Sequence, residues 1–241
     1  MGLGLFDFLG AGILFEKYYA DDNFGYYLLG ATIALMIFSY LVGSLNGANI
    51  ISRCVYRDDV RLHGSKNAGM TNMARVYGKK GAILTTLIDV LKTVLCVFIG
   101  CYLGNCTFLP YVAGLFCMIG HAFPIYYGFK GGKGILVGAS VMLCTSIPTL
   151  VATLLIWVIS VAFTKYVSVG SIISSAMYPF ILDRMNRIFY VNTDIKMDFG
   201  EVFAFAMACL TIFLHRENIK RLKNGNENKI GKKKEEGKDG N

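Results

Sequence analysis

The sequence predicts an all-α integral membrane protein: a seven-helix transmembrane bundle with its N-terminus outside and its C-terminus in the cytosol. Of its 241 residues 54% are hydrophobic and only 17% are charged, whereas a soluble domain carries about 25% charged residues. The apolar residues occur in blocks, most of them about 17–25 residues long, which is the length of a membrane-spanning helix. Lys and Arg residues cluster beside these blocks, as they do on the cytosolic side of membrane proteins.

Seven apolar segments define the predicted spans, namely residues 27–51, 82–103, 108–127, 134–147, 149–164, 166–182 and 199–214. The stretch 134–164 fits either one long helix or two short helices broken near Pro148. Two helices place every basic segment on the same side of the membrane, so we expect the break. Each of the two arms is then shorter than a ~30 Å hydrocarbon core requires, and local thinning or partial insertion is expected.

Basic residues dominate two segments outside the spans. Residues 52–80 hold seven Lys or Arg against two acids, and residues 215–241 hold nine against five, within a net charge of +8. Such segments suit anionic lipid headgroups and phosphorylated substrates at a membrane surface. No soluble basic domain remains for nucleic acid, so we expect none to bind.

The chain is expected to have three parts. Residues 1–25 form an interfacial N-terminal extension, residues 26–223 the membrane domain, and residues 224–241 a disordered basic tail rich in Lys, Glu, Gly and Asn. The start of the chain lacks the basic region of a signal peptide. The seven cysteines and three isolated histidines do not have the spacing of zinc ligands, so no metal or cofactor is expected.

The first candidate site is the loop after the first span, RLHGSKNAGMTNMAR over residues 61–75. Its glycines let the backbone turn tightly and approach a ligand. Its arginines fit phosphate oxygens through two parallel hydrogen bonds, and neutral donors lie between them. The alternative is a solvated basic loop that only follows the topology rule, and the density of small donors argues against it. The polar residues concerned are Arg61, Ser65, Asn67, Thr71, Asn72 and Arg75.

The second candidate site is GHAFPIYYGFKGGKG over residues 120–134. Glycines interleaved with Lys130 and Lys133 lead into a predicted helix, and a helix N-terminus favours anions. Alone this signal is weak, because Gly/Lys turns are common between spans.

The third candidate site is HRENIKRL over residues 215–222. His215 and Asn218 share one helical face, and histidine exchanges a proton near neutral pH. The alternative is a helix end with basic side chains that extend toward the membrane surface. Asp89 and Lys92, three residues apart inside a span, are either a structural pair or a functional one.

At these residues the sequence resembles the acyl-phosphate–glycerol-3-phosphate acyltransferase family, the PlsY type. The family has three cytosolic motifs. Here they read GSLNG with HGSKNAGMTN, GHAFP with FKGGKG, and HRENIKRL, at residues 43–47, 63–72, 120–124, 129–134 and 215–222. The motifs occur in the family's order, and the resemblance extends over most of the chain.

The resemblance implies a seven-helix enzyme of the bacterial inner or plasma membrane. It would transfer a fatty acyl group from acyl-phosphate to the sn-1 hydroxyl of glycerol-3-phosphate, giving lysophosphatidic acid and inorganic phosphate, the first step of phospholipid synthesis. We expect a monomer surrounded by membrane lipids. Glycerol-3-phosphate would contact Ser65, Arg75, Lys130, Lys133, Ser168, His215 and Asn218, with His215 and Ser65 as the catalytic residues. Acyl-phosphate would contact Gly64, Asn67, Gly69, Thr71, Asn72, Gly131 and Gly132.

The sequence departs from the family's usual pattern at five positions, Lys66, Met70, Thr93, Leu136 and Val137. The charged positions are intact. No H-x-x-x-x-D motif follows any histidine, which argues against acyltransferases that use acyl-CoA through a His–Asp pair. Two alternatives are a small multi-pass transporter, whose polar groups lie near the membrane midplane, and a non-catalytic lipid-binding relative of the family.

Overall fold

A computed structural model describes residues 4–6, 9–104, 108–189 and 199–230, and every α or β element in these ranges is a helix. This agrees with the predicted all-α class. The helices are α1 Ile13–Tyr18, α2 Phe24–Gly43, α3 Gly47–Cys54, α4 Met70–Gly104, α5 Leu109–Ala122, α6 Ile135–Thr145, α7 Ile147–Thr164, α8 Val167–Phe189, α9 Phe199–Leu214 and α10 Arg216–Lys223.

By length and composition, four stretches within these ranges can cross a membrane. They are Phe24–Cys54, Met70–Gly104, Leu109–Tyr127 and Ile147–Thr164. A fifth is reached if α9 and α10, which are bent by 50° at their junction, form one broken span. Helix α6 is apolar but has only 11 residues, about 16 Å at 1.5 Å per residue. The count of seven spans and the orientation stay predictions.

The predicted break within residues 134–164 is confirmed. Helix α6 ends at Thr145 and α7 begins at Ile147, with the backbone extended at Ser146 (φ −159°, ψ 94°). Pro148 lies in the first turn of α7, where a missing backbone N–H costs no helical hydrogen bond. Two helices replace one long helix because proline cannot continue α6. The expectation that both would be too short to span is wrong for α7, which has 18 residues and is long enough to cross a membrane.

The first predicted span is also broken, which the sequence did not indicate. Ser44 and Asn46 separate α2 from α3. Lys92 of α4 donates to the carbonyl oxygens of Gly43 at 2.9 Å and of Leu45 at 3.1 Å. These carbonyls would otherwise lack a partner at the break, and inside a membrane each unsatisfied backbone group is costly. The charged side chain of Lys92 therefore stabilises the break.

Helix α4 is kinked at Gly78, whose φ of 73° lies in the left-handed region. Glycine adopts this conformation readily because it has no Cβ. The kink separates an arm of residues 70–77 from the long apolar part of the helix. The arm carries Thr71, Asn72 and Arg75, and because of the kink its axis differs from that of the rest of α4.

The N-terminal extension packs against the helices. The Leu5 N–H donates to the Cys144 carbonyl oxygen at 3.0 Å, near the end of α6. Phe6 is buried and meets Phe98 edge to face, with 5.1 Å between ring centroids. The expected interfacial location of this extension stays a prediction.

Two glycines allow α2 and α5 to approach closely. A Cβ on Gly43 would overlap the Cys117 carbonyl oxygen, and a Cβ on Gly120 would overlap the Tyr40 carbonyl oxygen. Small residues permit such approaches between membrane helices. Both glycines belong to predicted motifs, and the crossing holds the ends of those motifs side by side.

Gly43→Ala should lower the melting temperature of the detergent-solubilised protein, because the new methyl group overlaps the backbone of α5. Overpacking of this kind costs about 1–3 kcal/mol. Gly30→Ala on the same helix is the control, since no described heavy atom lies within 4 Å of its Cβ position. Alanine is also the better helix former by about 0.5–1 kcal/mol, so this control should hold or rise in stability. Equal melting temperatures for the two variants would contradict the close crossing of α2 and α5.

Candidate functional site

A cavity of about 340 Å³ lies where the three motifs meet. Its polar end is formed by the α4 arm, the loop before α6, the start of α8 and the junction of α9 with α10. Ten of the predicted site residues line it, namely Ser65, Asn67, Gly69, Thr71, Asn72, Arg75, Lys133, Ser168, His215 and Asn218. The structure thus brings all three motifs to one place, as the resemblance implies.

Four predicted site residues do not line the cavity, namely Gly64, Lys130, Gly131 and Gly132. Lys130 is exposed, so Lys133 is the lysine of this loop that reaches the cavity. Gly64 supports the wall instead, because a Cβ there would overlap Asn72 Oδ1. Substrate contact by these four residues stays a prediction.

Asn72 holds the first motif loop in shape. Its Oδ1 accepts the Ser65 backbone N–H at 2.9 Å, and its Nδ2 donates to the carbonyls of Val60 at 3.1 Å and His63 at 3.0 Å. Both ends of this buried amide are therefore bound to the loop backbone.

Lys66, where the family usually has glycine, takes a φ of 58°. The left-handed region costs a non-glycine residue roughly 1–2 kcal/mol, which explains the usual glycine. The Lys66 side chain is exposed and does not line the cavity, so this departure leaves the cavity wall unchanged.

Glu227, for which the sequence suggested no role, joins the groups at the polar end. Its Oε1 accepts from Asn218 Nδ2 at 2.8 Å and from Ser168 Oγ at 3.1 Å, while its Oε2 accepts from Arg221 Nε at 2.8 Å. Lys133 in turn donates to Asn218 Oδ1. One carboxylate, 5% exposed, thereby connects α8, α10 and the loop before α6.

A turn at the end of α10 brings Glu227 to the cavity. Gly225 has a φ of 70°. The Asn226 N–H donates to the Arg221 carbonyl at 2.8 Å and the Gly225 N–H to the Leu222 carbonyl at 3.2 Å, the two bonds of a Schellman motif. A glycine after a basic last turn is the sequence signal for such an ending.

Residues 224–230 are therefore ordered, whereas the sequence predicts that the disordered tail begins at residue 224. The Ile230 N–H donates to the Lys165 carbonyl oxygen at 2.9 Å, and Lys229 lies over the Tyr166 ring at 5.5 Å. The remaining tail, residues 231–241, lies outside the described residues.

Several cations crowd the polar end. The pKa of Lys133 is lowered to about 8, mainly by burial and also by the charges of Arg221 and Arg75, while Glu227 opposes the lowering. Burial raises the pKa of Glu227, but hydrogen bonds from Arg221 and neighbouring donors outweigh burial and hold that pKa below its ordinary value. The Arg75 guanidinium makes no hydrogen bond within the part of the chain that the structure describes, so it is available to an anion.

The tautomer of His215 follows from its contacts. Nδ1 lies 2.8 Å from the Thr211 carbonyl oxygen, and a carbonyl only accepts, so Nδ1 carries the proton. Nε2 is left as an acceptor, and the residue lines the cavity. Burial lowers the pKa of His215 to about 4, and the charge of Lys133 contributes to the lowering. The ring is therefore neutral at pH 7, able to accept a hydrogen bond but a weak base.

Beyond the polar end the cavity continues as an apolar channel between α5, α6, α7, α8 and α9. Its lining includes Met118, Ile135, Leu136, Met142, Leu150, Leu154, Trp157 and Met207. Most of these residues lie within the helices, whereas Ile135 and Leu136 begin α6 directly after the loop that carries Lys133. Leu136, one of the departures from the family pattern, thus belongs to the channel. A cationic end joined to an apolar channel fits a molecule with an anionic head and a hydrocarbon tail.

Comparisons with known proteins agree with this geometry. The chain matches the family described as "Glycerol-3-phosphate acyltransferase" over residues 33–225. A glycerol-3-phosphate acyltransferase from Finegoldia magna is 40% identical over 204 residues, covering 83% of this chain and 96% of the relative. Another from Thermoanaerobacter pseudethanolicus is 42% identical over 200 residues, with coverage of 83% and 96%.

The fold is similar to crystal structures of PlsY (YgiH), an integral membrane glycerol 3-phosphate acyltransferase. The glycerol 3-phosphate form has a TM-score of 0.75 at 30% identity, covering 84% of this chain and 96% of that one. The lysophosphatidic acid form has a TM-score of 0.72 at 29% identity, with the same coverage of 84% and 96%.

Sulfate binding to the polar end should weaken as the pH rises through about 8, because Lys133 loses its positive charge there. Sulfate stays a dianion on both sides of that pH, so the change reports on the protein. Isothermal titration calorimetry measures the dissociation constant. Lys133→Arg is the control, because a guanidinium keeps its charge, and its sulfate affinity should show no step near pH 8. A step of equal size in the variant would assign the titration to another group.

Proposed function

Because this chain belongs to the glycerol-3-phosphate acyltransferase family, we propose that it transfers a fatty acyl group from acyl-phosphate to the sn-1 hydroxyl of glycerol-3-phosphate. The products are lysophosphatidic acid and inorganic phosphate. The observation that carries this proposal is the single cavity that joins a cationic end to an apolar channel. The two PlsY structures, in glycerol 3-phosphate and lysophosphatidic acid forms, correspond to an acceptor and a product of this reaction.

The chain is a multi-pass integral membrane protein with several apolar helices. For its finer topology we propose seven spans, with the N-terminus outside and the C-terminus in the cytosol of a bacterial inner or plasma membrane. The basic segments at residues 52–80 and 215–241 support this orientation. It turns the polar end of the cavity toward the cytosol, where a water-soluble acceptor is available. We further propose that the protein acts as a monomer among membrane lipids.

The polar end suits glycerol-3-phosphate. Arg75 and Lys133 supply positive charge for the phosphate, and the guanidinium fork matches two phosphate oxygens. Ser65 stands on the same wall as a further donor. His215 Nε2, an acceptor, is placed to hold a glycerol hydroxyl, with Asn218 beside it. Each of these residues lines the cavity.

The donor is proposed to lie between the α4 arm and the channel. Asn67, Gly69 and Thr71 line the cavity at the start of α4, where free backbone N–H groups and the helix dipole favour a phosphate. The acyl chain would extend into the apolar channel, where burial removes its surface from water. The scissile bond then falls between the cationic end and the channel.

The reaction requires alignment more than a strong base, because the acyl group is already activated by phosphate. The acceptor hydroxyl oxygen bonds to the acyl carbon, the carbon–oxygen bond to phosphate breaks, and the hydroxyl proton leaves on the phosphate. His215, with a pKa of about 4, can orient the hydroxyl without retaining its proton. Positive groups around the cavity stabilise the charge on the leaving phosphate.

Purified protein given acyl-phosphate and labelled glycerol-3-phosphate should form lysophosphatidic acid, detected by chromatography of the lipid extract. Acyl-CoA should not replace acyl-phosphate, because no H-x-x-x-x-D motif is present in the sequence. Comparable turnover with acyl-CoA would contradict the proposed donor. Absence of lysophosphatidic acid with either donor would refute the proposed function.

A further inference from the structure

A buried charged cluster lies behind the first two motif loops. Asp89 and Lys92 form an ion pair at 2.7 Å, with their side chains 2% and 4% exposed. His121 Nδ1 lies 3.1 Å from Lys92 Nζ. The reaction as derived above uses none of these three residues, although His121 and Asp89 both line the cavity.

His121 contacts the glycine loop directly and the first motif loop through Asn46. Its carbonyl oxygen accepts the Gly132 N–H at 3.1 Å, and a Cβ on Gly132 would overlap His121 Nε2. Asn46 Nδ2 donates to the Ala68 carbonyl oxygen at 3.2 Å and lies 3.4 Å from His121 Nδ1. The imidazole edge that carries Nε2 therefore rests against the glycine loop, on the cavity wall next to Lys133.

The surroundings of Nδ1 fix which ring nitrogen carries the proton. Two groups that only donate face it, the Lys92 ammonium at 3.1 Å and the Asn46 amide nitrogen at 3.4 Å. Asp89 Oδ1 also lies 3.4 Å from Nδ1, but it is in an ion pair with Lys92 and accepts the Gly47 N–H at 3.1 Å. A proton on Nδ1 would point toward the ammonium, so Nδ1 accepts and Nε2 carries the proton in the neutral ring.

This Nε2–H has no hydrogen-bond acceptor among the described residues, although His121 is only 4% exposed. Nε2 is not among the fully enclosed side-chain atoms that lack a partner, and His121 lines the cavity, so this N–H is open to the cavity. A ligand oxygen inside the cavity would supply the missing partner. His121 contacts Gly132, the residue before Lys133, and is three residues from the channel residue Met118 on α5, so we place the donor where the phosphoryl group of acyl-phosphate would join its acyl chain.

We propose that His121 Nε2–H donates a hydrogen bond to a phosphoryl oxygen of acyl-phosphate. Asp89 and Lys92 are positioning residues that hold the ring in this tautomer. The identity of the ligand rests on the proposed function. A neutral donor adds an interaction with the phosphate without another positive charge beside Lys133.

Two substitutions separate this role from a structural one. His121→Gln places an amide N–H near the Nε2 position, whereas His121→Asn keeps a polar partner for Lys92 near Nδ1 and lacks the Nε2 donor. His121→Asn should raise the KM for acyl-phosphate about 10- to 100-fold, the range of a hydrogen bond to a charged group. His121→Gln should raise it much less, and the KM for glycerol-3-phosphate should stay unchanged in both variants.

The reverse order would overturn the proposal. If His121 only fills the cluster, His121→Asn should behave like the native protein and His121→Gln should be the impaired variant. A rise confined to the KM for glycerol-3-phosphate would assign the donor to the other substrate and also contradict the proposal. Melting temperatures of both variants identify any loss of folding.

A measurement on the native protein holds even if both variants fail to fold. In protein labelled with ¹⁵N-histidine, His121 should show a protonated Nε2 and an unprotonated Nδ1 at neutral pH. A non-hydrolysable acyl-phosphonate should shift the Nε2 signal. A proton on Nδ1, or no shift at saturating phosphonate, would overturn the proposal. Failure of the native enzyme to make lysophosphatidic acid would instead refute the proposed function and leave the tautomer standing.

Discussion

The burial of neighbouring cations is the constraint that shapes this site, and the carboxylate of Glu227 is the interaction that offsets it. Burial, together with the charges of Arg221 and Arg75, lowers the pKa of Lys133 to about 8, while Glu227 opposes the lowering. Without that carboxylate the lysine would lose its proton at a lower pH, and with it the charge that attracts a phosphate. The same carboxylate orients Asn218, so charge balance and geometry depend on one residue.

Helix breaks bring these groups to the polar end of the cavity. A continuous helix satisfies its own backbone, and within a membrane an interruption requires other partners. Lys92 provides them at the break after α2, where it bonds two backbone carbonyls. Gly78 redirects the arm that carries Arg75, and the Gly225 turn returns Glu227 to the cavity. Each interruption thus brings polar groups into positions that an uninterrupted helix would not give them.

Which features could be predicted from the sequence depends on how far apart along the chain the interacting residues lie. The membrane class depends on local composition, and the break near Pro148 was predicted from the proline together with the distribution of basic segments along the chain. Lys130 and Lys133 belong to the same glycine loop, but only Lys133 lines the cavity. The path of the loop in the folded protein decides this, and residue spacing does not reveal that path. Glu227 was missed because its contact with Ser168 spans 59 residues of chain. The number of spans stays a prediction, because α6 has only 11 residues.

The affinity for glycerol-3-phosphate tests the organising role of Glu227 most directly. Isothermal titration calorimetry should show that Glu227→Gln binds this ligand about tenfold more weakly or worse, because charge-assisted hydrogen bonds that orient the site are lost. Glu217→Gln on α10 is the matched control: its ion pair with Lys220, at 3.2 Å, joins side chains that are 57% and 70% exposed, and such pairs contribute little. Weaker binding in Glu227→Gln alone is the predicted result. Tighter binding would contradict the account, since it would mean that the carboxylate competes with the ligand.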